Sequence, residues 1–507
     1  MLKTTNLLVI CIIFVTLIKL NLIGNGFLAF PDEWRHIASG HVLKDLQAGE
    51  FKSALATVFS TQGRPVDTII KTIPNGFQYL SAQLLGLEYY ESANSFPLFL
   101  FNFSIYCLIL VVHYKFSRLI LKDKSWSLFS VLVLGCLDNS YIYLRHGLPY
   151  DTSLLLLYFA FYKVLKTSES KNLSFSKALF FGFFTFFGYL AYPGYFLLFV
   201  IIGLFFFFNN LEKSELSKRI KLSLIYGIGS LICLAIFEGL SRIAGTSYLT
   251  SSQELSGTLN QGSFEECFSF LIKYLFQVEK LTGIFILLGI VFFTFLVVKN
   301  RKRLETIHLI FIITAFVFIV FCGAGYFFQK VILSGRVLHQ FFPLLVLFFA
   351  FACREFIPKE NMKNSVIGIF SILFISNFGI QFWAYKDYSY PRDVSWEFYK
   401  KYHPKEITSV CEINKNSWDI LPIQTDILEK FADKKTNHTM KIVNSCSVYP
   451  FPGLENYSEY QPAKSEKLLF SKSSYLNFEG YKFEGYSIQD RENVGLANLK
   501  TKVYITE

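Results

Sequence analysis

Charge is in short supply in this 507-residue chain: 17% of its positions are Asp, Glu, Lys or Arg, against about 25% in a typical soluble domain. That shortage excludes an ordinary soluble protein, because apolar runs of about 20 residues, enough to cross a bilayer, recur through residues 1 to 385. No CxxC pair and no Cys/His zinc spacing occurs among the nine cysteines, so the sequence offers no zinc module. A convincing glycine-rich nucleotide loop is missing too. So is an A-x-A-like cleavage site after the first apolar run, which is expected to be a retained helix rather than a removed signal. An internal repeat of helices, common in transporters, is not visible.

Apolar and aromatic residues are plentiful instead, at 52% and 18%, with 58 phenylalanines. The apolar runs predict about eleven spans, near 6–30, 96–114, 126–143, 150–165, 178–208, 222–244, 281–298, 306–328, 337–352 and 365–385. Of these, 178–208 is too long for one helix and is expected to turn back at Tyr192-Pro193-Gly194. The net charge is +11, but the cations cluster between spans, as in Lys115, Arg118, Lys122 and Lys124, or Lys299, Arg301, Lys302 and Arg303. With the N-terminus in the cytoplasm, every interior loop carries such a cluster and the Pro193-Gly194 turn faces out without one, as the positive-inside rule requires. The basic balance is therefore read as topology, and no nucleic-acid partner is expected.

The expected fold is an α-helical multi-pass membrane protein over residues 1–385, followed by a small extracytoplasmic α+β domain over 386–507. Residues 31–95 form a long outer loop with two amphipathic stretches, 36–59 and 66–87, broken by Gln62-Gly63-Arg64-Pro65. Helices with one apolar and one charged face lie in the membrane interface. The tail carries strand-like runs at Ile407–Val410, Lys441–Val443 and Lys502–Ile505, and a Phe-Glu-Gly-Tyr string occurs twice in it, once from Phe483. Cys107, Cys136, Cys233 and Cys322 sit in apolar runs as small hydrophobes. A disulfide between Cys411 and Cys446 would fit an oxidising compartment and stays open.

On this topology the unusual polar residues gather at the outer face. Pro31-Asp32-Glu33-Trp34-Arg35-His36 ends the first span, Arg64 divides the outer loop, Arg145, His146 and Asp151 link spans three and four, and Arg336 and His339 open span ten. Ionisable groups at a membrane boundary are costly and need a partner or a purpose. Carboxylates and arginines from separate segments would make a polar cavity suited to a lipid-linked phosphate, with Arg binding phosphate bidentately and a carboxylate taking a proton from a hydroxyl. Blander readings stay open. Asp32 and Glu33 serve equally as boundary markers, Arg145 as a partner of Asp151, Arg336 as a snorkelling anchor, and Glu238 as a bond to a neighbouring helix. His36, His41, His146 and His339 are too scattered to make a metal site at this level.

The order of these motifs resembles the GT-C superfamily of polyprenyl-phosphate-sugar-dependent glycosyltransferases, whose branches include protein O-mannosyltransferases and lipid A aminoarabinose transferases. Asp32-Glu33-x-Arg35-His36 is similar to an Asp-Glu-x-Arg-Tyr first-loop motif, with His36 in place of the aromatic residue. Leu148-Pro149-Tyr150-Asp151 resembles the acidic link between spans three and four, and the segment Ser334-Gly335-Arg336 through Pro343 resembles the start of a late span. The likeness covers residues 1 to about 385 and rests on order and topology; the tail has no counterpart in either branch. It implies an inverting transfer of a sugar from polyprenyl phosphate to an acceptor hydroxyl, the phosphate leaving. Asp32 would be the catalytic base, Glu33 would position it or share the role, and Asp151 would complete the acidic side. Arg64, Arg336 and Arg145 would hold the donor phosphate. If a divalent cation (Mg or Mn) assists, Asp32 with His36 would be its ligands. The partners implied are the membrane lipid and a glycan, lipid or protein acceptor, at a bacterial inner membrane with the tail in the periplasm. A lipid or polysaccharide transporter and a non-catalytic scaffold are the competing classes.

Overall fold

The computed structural model describes residues 4–23, 34–59, 64–84, 95–170, 173–209, 216–257, 262–299, 305–329, 333–357, 360–386, 401–411, 437–444, 460–475, 480, 483 and 498–506. The chain is helical over most of that length. Helix α1 (Thr4–Ile18) runs into a 3-10 turn, Lys19–Leu22; α2 (Trp34–Gln47), α3 (Phe51–Phe59) and α4 (Pro65–Leu84) follow. Next come α5 (Ser95–Leu121), α6 (Lys124–Cys136), α7 (Tyr150–Glu169), α8 (Phe175–Ala191), α9 (Phe196–Asn209) and α10 (Leu216–Ile243). The remainder are α11 (Tyr248–Gly257), α12 (Phe270–Gln277), α13 (Lys280–Lys299), α14 (Thr306–Phe328), α15 (Gly335–Leu338), α16 (Phe342–Phe356) and α17 (Glu360–Lys386).

Among the described residues, seven helical segments are long and apolar enough to cross a membrane: Thr4–Leu22, Phe96–Leu121, Leu216–Ile243, Lys280–Lys299, Thr306–Phe328, Gly335–Phe356 and Met362–Lys386. The chain is thus a helical multi-pass membrane protein. Helices α6, α8 and α9 are apolar but shorter. The sequence places their ends. Asp123 caps α6 by accepting from the Trp126 amide, Pro193 opens the 3-10 turn between α8 and α9, and Gln329 closes α14 in the left-handed conformation.

Gly335–Phe356 is buried over nearly all of its apolar length and forms the hub on which α6 and α13 pack. Helices α8 and α10 approach closely because neither carries bulk at the contact. A Cβ on Gly182 would collide with the Tyr226 carbonyl, one on Gly229 with the Leu179 carbonyl, and Ser230 Oγ donates to the Gly182 carbonyl at 3.0 Å. Small residues that let backbones meet are the usual means of association where lipid removes the hydrophobic drive.

Two expectations about spans need correction. The third span was expected to run to residue 143, but α6 stops at Cys136 and residues 137–149 are a buried, largely non-helical segment. The stretch 245–279, expected as a polar loop, is largely helical, in α11, a π-helical turn Glu265–Ser269 and α12. Glu238 bonds to the neighbouring helix α11 at its first turn. Its carboxylate accepts from Arg242 Nε at 2.7 Å, from Ser247 Oγ at 2.9 Å and from the Leu249 amide at 3.1 Å, closing the reversal at the end of α10.

The C-terminal part carries a four-stranded sheet of β1 (Glu406–Cys411), β2 (Thr439–Asn444), β3 (Glu466–Tyr475) and β4 (Asn498–Thr506), in the order β1-β2-β4-β3. The first pair is parallel and the other two antiparallel. Ile407, Met440, Ile442, Val443, Val503, Tyr504 and Ile505 are buried in the sheet. The partner of Cys411 in the disulfide left open, Cys446, lies outside the described residues.

Candidate functional site

Residues 137–149 leave helical geometry inside the protein, so their backbone needs partners that helices would have supplied. Side chains from three other helices or helix ends provide them, and a fourth, Lys19, braces the segment's start. Glu279, just before α13, accepts the amides of Asp138 at 2.8 Å and Asn139 at 3.0 Å. Asn102 of α5 donates to the carbonyls of Leu144 and His146, and Tyr385 of α17 donates to that of Ile142. Lys19, at the end of the first span, is fully buried and donates to the Gly135 carbonyl (2.7 Å), Ser140 Oγ (2.8 Å) and Tyr106 Oη (2.8 Å). Its ammonium also lies 4.1 Å from the centre of the Tyr106 ring. Removing an ion from water costs several kcal/mol, about what such a set of bonds returns.

This segment delivers Asp151 to the first turn of α7, where it is buried. Asp151 Oδ1 meets His339 Nε2 at 2.9 Å, and His339 Nδ1 bonds Asn139 Oδ1. The Asn139 amide is oriented by donating to Tyr274 Oη at 2.7 Å and to the Gly335 carbonyl at 3.2 Å. Both imidazole nitrogens therefore face acceptor oxygens. Asp151 was read as a candidate partner of Arg145; its partner is His339, because the 3-10 turn His339–Phe341 brings the imidazole in where residues 137–149 carry Arg145 away. A small cavity adjoins this pair, lined by Asn139, Ser140, Asp151 and His339 together with apolar side chains such as Ile109 and Leu134.

Four tyrosines surround the same place. Tyr150 stacks edge-on against Tyr143 and Tyr192, each with ring centres 4.8 Å apart, and Tyr192 meets Tyr195 at 5.0 Å. Tyr195 and Tyr143 both touch the His339 ring. Arg336, buried on α15, donates to Tyr150 Oη at 3.1 Å, while the Arg64 guanidinium lies 4.9 Å from the centre of the Tyr192 ring. Arg64 and Arg336 thus sit on two touching tyrosines, although 272 positions separate them in the chain. Arg145 contacts a different ring, Tyr385, at 4.2 Å.

Helix α4 supplies the outer wall, and its two faces are reversed relative to a soluble helix. Asp67, Thr68, Lys71, Asn75 and Gln78 are buried, while Ile69, Ile73, Phe77, Leu80 and Leu84 are exposed, Leu84 by 87%. An apolar stripe facing outward over a polar face packed inward fits a helix lying on lipid. Within, Lys71 pairs with Asp67 at 2.5 Å, and Asn75 Nδ2 donates to Ser39 Oγ and to the His36 carbonyl of α2. Burial, with the Lys71 ammonium beside it, pushes the His36 imidazole down to about 3, so its ring is neutral.

Asp32 and Glu33 lie outside the described residues. Of the two residues the resemblance offers to a divalent cation, Asp32 lies outside the described residues and His36 is buried where α2 packs on α4, its carbonyl accepting from Asn75. Among the described residues no three His, Cys, Asp or Glu side chains group as metal ligands. Sequence reading missed Lys19, Asn139, Tyr274 and Glu279. The usable signal was a lone Lys inside the first apolar run and an acidic residue at the mouth of the eighth, both costly unless satisfied.

No protein-family model matches the chain, and no curated protein matches it.

Proposed function

We propose that this protein is a membrane glycosyltransferase of the GT-C type, moving a sugar from a polyprenyl-phosphate donor to an acceptor hydroxyl at the outer face of a bacterial inner membrane. The eleven-span topology, with the N-terminus in the cytoplasm and the C-terminal sheet outside, belongs to this proposal. The observation that carries it is the meeting of Arg64, Arg336, Asp151 and His339 around touching tyrosines, beneath a helix whose apolar face points outward. Two arginines at an interface suit a lipid phosphate, and tyrosine rings suit the apolar C–H faces of a sugar.

In this reading Asp32, with Glu33 beside it, takes the proton from the acceptor hydroxyl as the new oxygen–carbon bond forms at the anomeric carbon. The bond from that carbon to the phosphate oxygen breaks with inversion, and the phosphate leaves with the electron pair. Arg64 and Arg336 stabilise the charge that develops on it. Asp151, fixed against His339, sets the acidic side of the cavity.

A transporter would be favoured by ionisable groups buried within the spans; Lys19 is one, and Glu279 lies at the mouth of another span. Their partners, however, include the backbone groups of residues 135–139, which makes them fixtures of the fold rather than a moving relay. The test is transfer from a radiolabelled polyprenyl-phosphate sugar to membrane acceptors by purified protein. Asp32→Ala is expected to abolish transfer and keep the folded protein; unchanged transfer would remove Asp32 from the mechanism, and lipid movement without transfer would favour a transporter.

A further inference from the structure

Among the described residues, Phe483, which lies between β3 and β4 in the sequence, packs into the core of the helical part. Phe483 is 4% exposed, and its ring sits edge-on between Phe270 and Tyr274 of α12, with centres 5.5 Å from each. Its carbonyl accepts the Gly335 amide at 2.8 Å. We propose that Phe483 is a positioning residue for the candidate site, holding the start of α15 so that Arg336 and His339 stand in place.

The path is short and made of bonds already described. Gly335 is the first residue of α15, and its amide would be one of the unsatisfied donors of a helix start if Phe483 did not accept it. Arg336 is the next residue, and His339 follows one turn later. On the other side, the Phe483 ring packs on Tyr274, whose hydroxyl accepts from Asn139, which in turn bonds His339 and the Gly335 carbonyl. The main chain and the ring of Phe483 therefore converge on the same short helix from two directions. Such a helix, of four residues, has too few internal bonds to hold itself. It takes its orientation from what it touches. The position of Phe483 in the second Phe-Glu-Gly-Tyr string gives that string a use that duplication alone does not.

The contact stands independently of the transferase reading; only its consequence for a lipid phosphate rests on that reading. The experiment uses the full-length protein in detergent and has two arms. Amide hydrogen exchange across Gly335–Leu338 is compared in wild type, F483A and F483Y, and the Kd for a short-chain prenyl phosphate is measured in the same preparations. F483A is expected to speed exchange at these amides and to raise the Kd roughly ten- to a hundredfold through misplacement of Arg336, with F483Y restoring both. Should F483A not fold, F483L serves in its place. Exchange and Kd unchanged in the folded variant overturn the proposal, as does a loss that F483Y fails to rescue. If wild type binds no prenyl phosphate, the transferase reading fails, and the exchange arm alone decides whether Phe483 positions α15.

Discussion

Two sets of buried charges lie close together in this protein and are used differently. Lys19 and Glu279 bond to backbone groups: a carbonyl before the 137–149 segment in one case and two of that segment's first amides in the other. Arg64, Arg336, Asp151 and His339 have the side chains of other residues as the partners described above, chiefly tyrosine rings, a tyrosine hydroxyl and one another. The difference teaches where rigidity ends and exchangeable contact begins. A charge that satisfies backbone cannot leave it without opening the fold, because each orphaned buried group costs about 1–3 kcal/mol. A guanidinium resting on an aromatic face gives up little when a phosphate arrives.

That contrast can be broken at its strongest point first. Glu279→Ala strips the acceptor from two buried amides and is expected to cost about 2–6 kcal/mol, enough to remove monodisperse protein from size-exclusion profiles of the solubilised chain. Arg336→Ala is expected to leave those profiles intact and to lower sugar transfer roughly 10²–10³-fold, as loss of a preorganised charge donor does. Equal losses of folded protein in both variants would erase the distinction between the two sets.

The smallest expected effect sharpens the outer wall. His36 titrates in solution near its ordinary value of 6.5 and in the fold only near about 3, through burial and the neighbouring Lys71. The unfolded chain therefore binds the proton more readily, and stability rises with pH across that interval. The packing of α2 on α4 keeps its full contribution above about pH 6.5 and loses it progressively as pH falls toward 3. Between pH 7.5 and 5, Tm is expected to drop more in wild type than in His36→Gln. An equal drop would place the pH sensitivity elsewhere.

Much of the helical part was legible because crossing a bilayer needs long apolar runs, and length survives any arrangement of neighbours. The amphipathic character of 66–87 was equally plain, since Ile69, Ile73, Phe77 and Leu80 recur at helical spacing. What burial adds is that its polar face is the inner one. The break after Cys136 was hidden because Leu137 and Tyr141–Leu144 keep hydropathy high where helical geometry has already failed. Lys19 disappeared into its apolar run for the same reason: hydropathy averages over a window, whereas a buried ammonium is decided by three atoms within 2.8 Å. Strand β3 was missed because Lys467, Ser471, Lys472, Ser473 and Ser474 blur its alternation. The meeting of Arg64 with Arg336 runs through Tyr192 and Tyr150, and no spacing in the chain announces a contact between two turns so far apart.

Where a lipid phosphate binds decides between these uses of the buried charges. A structure of the full-length protein with a prenyl phosphate analogue tests it most directly. The expected result places the phosphate within hydrogen-bonding distance of both Arg64 and Arg336, its prenyl chain passing the apolar face of α4. A phosphate bound away from both arginines would contradict it.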